Sequence, residues 1–184
     1  YCLPAAGAKV PIRGIRGTLT STLVKTVVIY ESMFGNTRDI ARATAEGLAE
    51  WSDVSITDVD SALLTVPTDA ALVVAGGPTH AFSMSRDTTR HDAASRGAVR
   101  ASARGLRDWL GAVSLAAPVP LATFDTHTKQ RWVPGSASRA AAKEGRTRGF
   151  VPVASRSFYV SDIPGPLVAG ELERARHWGR SLHS

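Results

Sequence analysis

The chain has 184 residues, 43% of them hydrophobic, one cysteine, and 22 basic against 16 acidic residues for a net charge of +6. That length suits one domain with a substantial core and leaves no room for a second. Cys2 has no partner for an internal disulfide, and no apolar run approaches the roughly 20 residues needed to cross a bilayer, so the chain reads as soluble, reduced and cytoplasmic, with no membrane role.

Half of the basic surplus lies at the start. Residues 1–23 hold Lys9, Arg13 and Arg16 and no acid, begin with Tyr1, and show neither strand nor helix periodicity nor the apolar core of a secretory signal. They read as an N-terminal extension, disordered or not native, ahead of a domain spanning residues 24–184. Residues 23–30 (LVKTVVIY) read as a buried strand, because Val27, Val28 and Ile29 form a continuous apolar block. From Thr37 the period changes to that of a helix, with Ile40, Thr44, Leu48 and Trp51 on one stripe.

Residues 54–59 alternate as a second strand nearer an edge, residues 61–65 offer at most a short helix before Pro67, and residues 70–75 form a third, buried strand ending in Gly76-Gly77-Pro78. Residues 82–96 carry mixed charge and no element. A helix is predicted over 97–113 on Ala103, Leu106, Trp109 and Leu110, then a strand over 119–124, a helix over 136–144, a strand over 150–155 and a last helix over 167–182. This alternation predicts a doubly wound α/β sheet.

The most informative stretch is Tyr30-Glu31-Ser32-Met33-Phe34-Gly35-Asn36-Thr37, where the first strand hands over to the first helix. Such a turn delivers backbone N–H groups to a helix N-terminus, which carries unpaired donors and about half a positive charge, and so favours a phosphate without Lys or Arg. No Gly-Lys-Ser/Thr closes it and the chain contains no G-x-G-x-x-G, so neither a nucleoside-triphosphate nor a dinucleotide loop is present. At Ser32, Phe34, Gly35 and Thr37 the stretch resembles the phosphate loop of the flavodoxin-like FMN-binding family, Ser/Thr-x-Thr-Gly-x-Thr after the first strand. Phe34 replaces the hydroxyl many members carry, and there it is similar to flavodoxin modules fused to diiron oxygen reductases.

The resemblance implies a flavodoxin-like, doubly wound, five-stranded parallel sheet in the order 2-1-3-4-5, helices on both faces, with the mononucleotide where the order reverses. It implies FMN as cofactor, its phosphate held by Ser32, Met33, Phe34, Gly35, Asn36 and Thr37. The segment after the third strand, with Pro78, Thr79, His80 and Phe82, is similar to the family's second flavin loop. Thr79 and His80 would contact the ring near N5, with His80 or Phe82 packing at its edge, and the paired glycines would let the ring approach the backbone. Thr123, Phe124, Asp125 and Thr126 stand where the family holds the pyrimidine edge; Asp125 is read as bonding either the flavin N3–H or its own backbone, and Trp132 as stacking on the ring or packing on the next helix.

Three functions follow as expectations: an FMN-binding electron-transfer protein, an FMN-dependent NAD(P)H oxidoreductase acting on a quinone or other small acceptor, or a flavodoxin-fold interaction module with weak or no flavin. Flavodoxin carriers are strongly acidic, whereas this domain is mildly basic, which points to a dedicated acidic redox partner protein or to NAD(P)H. Arg86 and Arg90 read either as flanking the flavin opening to attract that partner or as part of a solvated loop. The basic run Arg139, Lys143, Arg146 and Arg148 reads as a solvated helix face, and without an aromatic platform it does not indicate nucleic acid. No metal site is expected.

Overall fold

The computed structural model describes residues 23–80, 83–95, 98, 102–129 and 135–183. Within them the elements are β1 (Val24–Tyr30), α1 (Asn36–Leu48), β2 (Ser52–Asp58), β3 (Ala70–Pro78), α2 (Asp87–Ser95), α3 (Leu106–Ala112), β4 (Pro120–Thr128), α4 (Ala137–Thr147), β5 (Val151–Val160) and α5 (Glu171–Ser181). All five strands are parallel and stand in the order β2-β1-β3-β4-β5. The strand order expected from the sequence is the one observed.

Alternation along the central strands supplies two cores, because successive side chains face opposite ways. Val28 and Val74 meet Ile40, Leu48, Phe124 and Trp178 under α1 and α5, while Ile29 and Val73 meet Leu106, Trp109 and Leu121 under α3 and α4. Helices α1 and α5 cross with their backbones in contact. A Cβ at Gly47 would lie 2.1 Å from the carbonyl oxygen of Arg176, and one at Gly179 would lie 2.2 Å from that of Thr44. The outer side of this crossing carries exposed ion pairs, Arg176 with Glu46 at 2.6 Å and Arg180 with Glu50 at 2.7 Å. Among the described residues no helix is long and apolar enough to cross a membrane.

Several boundaries differ from the sequence reading. β3 runs through Gly76, Gly77 and Pro78, and β4 reaches Thr128, because these residues continue the parallel ladder to its end at Pro78 and Thr126. β5 likewise extends to Val160, paired with Thr128. Residues 61–65 form no helix; Leu64 O accepts from Ser114 N at 2.8 Å and Thr65 bridges Ser114. The stretch read as lacking an element contains α2, whose sequence DTTRHDAAS has no apolar stripe to announce it. Of the helix expected over 97–113, residues 102–105 are not helical, and α3 starts after Gly105, whose N–H donates to Asp108 Oδ2 at 2.8 Å. The last helix begins at Glu171, after Gly170 with φ 86° and the Pro164-Gly165-Pro166 run. The predicted roles of Cys2, Phe82 and Trp132 fall outside the described residues.

Overpacking a backbone contact of this kind costs about 1–3 kcal/mol. Gly179→Ala is expected to lower the urea midpoint accordingly, whereas Arg180→Ala, which removes only exposed pairs, shifts stability by less than about 1 kcal/mol. Equal midpoints for Gly179→Ala and the parent would show that the helices separate freely.

Candidate functional site

A cleft of about 280 Å³ opens at the carboxyl ends of β1, β3 and β4, where the strand order reverses. Met33, Phe34, Asn36 and Thr37 line it from the turn after β1, Pro78, Thr79 and His80 from the end of β3, and Thr126 from β4. The sequence reading therefore brings three separate segments to one place. It did not include a fourth wall, formed by Val160, Asp162, Ile163 and Pro164 after β5, nor His127 and Thr128 at the end of β4. The signal for that wall was topological: the segment after the fifth strand of a parallel sheet emerges at the same end as those after the first, third and fourth.

The walls are tied together by hydrogen bonds. Thr37 and Thr126, both buried, share one of 2.7 Å between their hydroxyls. Asn36 Nδ2 donates to Pro164 O at 2.5 Å, holding the fourth wall on the first turn of α1. Thr79 Oγ1 donates to Asp125 Oδ2 at 2.9 Å and accepts from Ala137 N at 2.8 Å, and the same carboxylate oxygen accepts from Ser138 N at 3.0 Å. Asp125 thus satisfies the N-terminus of α4 from below. α1 begins differently. Its N-cap is Gly35 at φ 93°, which offers no side chain to the first turn, so those N–H groups face the turn open.

Not every predicted site residue reaches the cleft. Ser32 is buried and its Oγ accepts from Gly35 N at 3.2 Å, so Ser32 and Gly35 shape the turn and line a smaller cavity of about 120 Å³ behind it. Thr123, Phe124 and Asp125 lie within β4 and are fully buried. Phe124 packs edge-on against Phe158 and Trp178, and Thr123 Oγ1 bonds Ser155 Oγ at 2.7 Å. The paired glycines serve the interior rather than a ligand: a Cβ at Gly76 would lie 2.1 Å from the Phe124 ring, and one at Gly77 would meet Leu106 at 3.3 Å.

Arg90 is also displaced from its expected place at the opening. It is 4% exposed, donates to Asp108 Oδ2 at 2.9 Å and Ser85 Oγ at 3.4 Å, and pairs with Asp87. Arg86 is exposed. Beside Arg90 sits Glu31, a buried carboxyl just after β1 that the sequence reading left without a role. Its Oε1 accepts from Ser85 Oγ at 2.5 Å and its Oε2 from Leu106 N at 2.8 Å, the first residue of α3. Burial pushes the Glu31 carboxyl above its ordinary value of 4.5, against the opposing pull of the Leu106 N–H, the Ser85 hydroxyl and Arg90.

No protein-family model and no curated protein sequence matches the chain. Solved structures do. Flavodoxin 1 from Bacillus cereus superposes with a TM-score of 0.59 at 16% identity, covering 87% of this chain and 99% of its own. The chain has the flavodoxin fold. A flavodoxin from the Archaea gives a TM-score of 0.56 at 16% identity over 86% and 95% of the two chains. A flavodoxin, WrbA-like protein from Agrobacterium tumefaciens gives 0.54 at 19% identity over 86% and 94%. In this flavodoxin fold the cleft lies at the strand-order reversal, the place where such sheets carry ligands.

Because the folded state holds the Glu31 proton more tightly than the unfolded chain, its contribution to stability is fully present below pH 4.5 and is lost as pH rises through the raised folded value. Glu31→Gln keeps an acceptor for Leu106 N and removes that linkage. Urea unfolding of both proteins from pH 4.5 upward is expected to show the variant gaining on the parent as pH rises; parallel profiles would show that Glu31 titrates normally.

Proposed function

We propose that the cleft holds FMN and that the protein transfers electrons. The observation that carries this reading is the open first turn of α1, entered through Gly35 and flanked by the linked Thr37 and Thr126 hydroxyls, at the reversal point of a flavodoxin-fold sheet. The donor set is neutral. Among the described residues no Lys or Arg lines the cleft, so a phosphate there is stabilised by backbone N–H groups, hydroxyls and the helix dipole. Asn36, Thr37 and Thr126 are the residues to hold a phosphate monoester. Pro78, Thr79, His80 and Thr128 are those to hold the ring, with Phe34, Val160, Ile163 and Pro164 excluding water from its faces.

The flavin, when bound, supplies the one- and two-electron redox chemistry. The chain's own residues bind it, orient it and set its surroundings. Asp125 fixes Thr79, whose backbone N–H donates to Thr126 O at 3.0 Å, so hydrogen bonds join the ring-side wall to the phosphate-side wall. A second reading, an NAD(P)H oxidoreductase acting on a quinone or other small acceptor, is favoured by two imidazoles, His80 and His127, lining the cleft and by a wall in which Ile163 is 60% exposed. The redox partner, whether an acidic protein or NAD(P)H, belongs to the same proposal.

Purified protein reconstituted with FMN is expected to show a bound-flavin spectrum, and absence of binding would sink the reading. Thr37→Val removes a hydroxyl at the phosphate end, where a charge-assisted hydrogen bond is worth about 1.5–3 kcal/mol. It is expected to weaken FMN roughly tenfold or more, in line with that energy, and riboflavin much less. Equal weakening of both ligands, measured by fluorescence titration, would place the phosphate elsewhere. Stopped-flow mixing of the FMN form with NADPH separates the two readings, because a carrier is not reduced directly by a hydride donor at a useful rate.

A further inference from the structure

The fourth wall of the cleft is a short strap with a closed base. The chain doubles back after β5, where Val160 bridges Leu167 antiparallel, and the N–H and Oγ of Ser161 both donate to Pro166 O, at 2.9 and 3.1 Å. The tip is Ile163-Pro164-Gly165. Pro164 has no N–H to donate, and the N–H of Ile163 is spent inside the strap on Asp162 Oδ1 at 2.8 Å. Among the described residues, one hydrogen bond ties the tip to another element, and it is the one from Asn36 Nδ2 to Pro164 O at 2.5 Å.

The strap is shaped for that contact. Gly165 has φ 135°, and a Cβ there would stand 2.7 Å from Asn36 Nδ2 and 2.8 Å from Asn36 Oδ1, so glycine is what lets the tip lie against the amide. Ile163 and Pro164 both line the cleft, and Ile163 presents its apolar side chain at the mouth, 60% exposed. Asn36 is at the same time the first residue of α1 and lines the end of the cleft assigned above to the phosphate. Its amide nitrogen carries two hydrogens, and Pro164 O takes one of them. One side chain therefore serves both the strap and the open turn.

We propose that Asn36 is a positioning residue for the ring end of the ligand: by fastening Pro164 it sets Ile163 and Pro164 against the ring, over and above its place beside the phosphate. The proposal rests on the cleft being the FMN site. Neighbouring residues then divide the work, since Thr37, tied to Thr126, acts on the phosphate, whereas Asn36 acts at both ends. The apolar wall is offered to any flavin, phosphorylated or not. A strap released from Asn36 has to be ordered when the ring arrives, which costs affinity for riboflavin as well as for FMN.

Asn36→Asp replaces the donor by an acceptor of the same shape, and a carboxylate in the first turn favours α1, so a loss in this variant is not a weakened helix. In the ligand-free protein, amide hydrogen exchange over residues 161–165 is expected to quicken about threefold or more while α1 exchanges no faster than in the parent. In fluorescence titrations, riboflavin is expected to bind about three- to tenfold more weakly, the range of one net hydrogen bond, in contrast to Thr37→Val, which touches riboflavin much less. Gly165→Ala pushes the tip off Asn36 by a different route and is expected to weaken riboflavin likewise; if it fails to fold, Asn36→Asp decides alone. Parental riboflavin affinity in Asn36→Asp with FMN weakened would overturn the proposal and leave Asn36 a phosphate ligand only, and unchanged exchange over residues 161–165 would overturn the fastening itself. If the parent binds neither flavin, the functional reading falls, and the exchange measurement still decides whether Asn36 holds the strap.

Discussion

The ring of Phe124 fills the volume that a side chain at position 76 would need, with ring carbons 2.1–2.4 Å from where a Cβ would stand. That one exclusion sets the register of the middle of the sheet. Gly76 faces Phe124, and the same ladder then places Gly77 beside Asp125 and Pro78 beside Thr126. A slip of one residue would turn Phe124 out of its cluster with Phe158 and Trp178 and would turn Asp125 away from α4. It would also separate Thr126 from Thr37. The geometry of the cleft is thus a consequence of core packing several ångströms below it.

Charge is distributed around this frame in a consistent way. Two helices have buried carboxylates at their N-termini, each supplied from a strand or its end: Glu31 just after β1 reaches Leu106 N of α3, and Asp125 of β4 reaches Ser138 N of α4. Each satisfies donors that would otherwise be stranded in the interior. Helix α1 has no side-chain hydrogen bond at its glycine cap, and its first turn is directed at the cleft. The same physics that stabilises the scaffold at two helix ends is left available to a ligand at the third. Arg90, engaged by Ser85, Asp87 and Asp108, belongs to the scaffold side of this division.

The strands and three of the four cleft walls could be read from residues because their causes are local, whereas the strand order came from the family resemblance of the turn after β1. A continuous block such as Val27, Val28 and Ile29 announces a buried strand, and a Gly-Asn-Thr turn after it announces a helix start at the sheet's carboxyl end. What escaped depends on pairing or on distant partners. Gly76 and Gly77 look like a loop in isolation and become strand only because Phe124 and Asp125 lie opposite. Helix α2 has no apolar stripe and is fastened by Arg90 to residues of α3 and of the segment before it. The roles of Glu31 and Asp125 as buried helix-end acceptors needed the positions of α3 and α4, and no spacing along the chain encodes those positions.

The glycine crossing between α1 and α5 joins the beginning of the domain to its end. Ile40 and Leu48 of α1 are sealed by a cluster that includes Ala175 and Trp178, and Gly47 lies against the backbone of Arg176. During synthesis, at about 5–20 residues per second, roughly 130 residues must therefore emerge after α1 before its apolar face is covered. Until then the helix whose first turn lines the cleft has no finished support. A nascent chain lacking α5 has every residue of the turn and the strands of the sheet, yet its first helix stands unsealed, so the turn gains its rigid support only once α5 has emerged and docked.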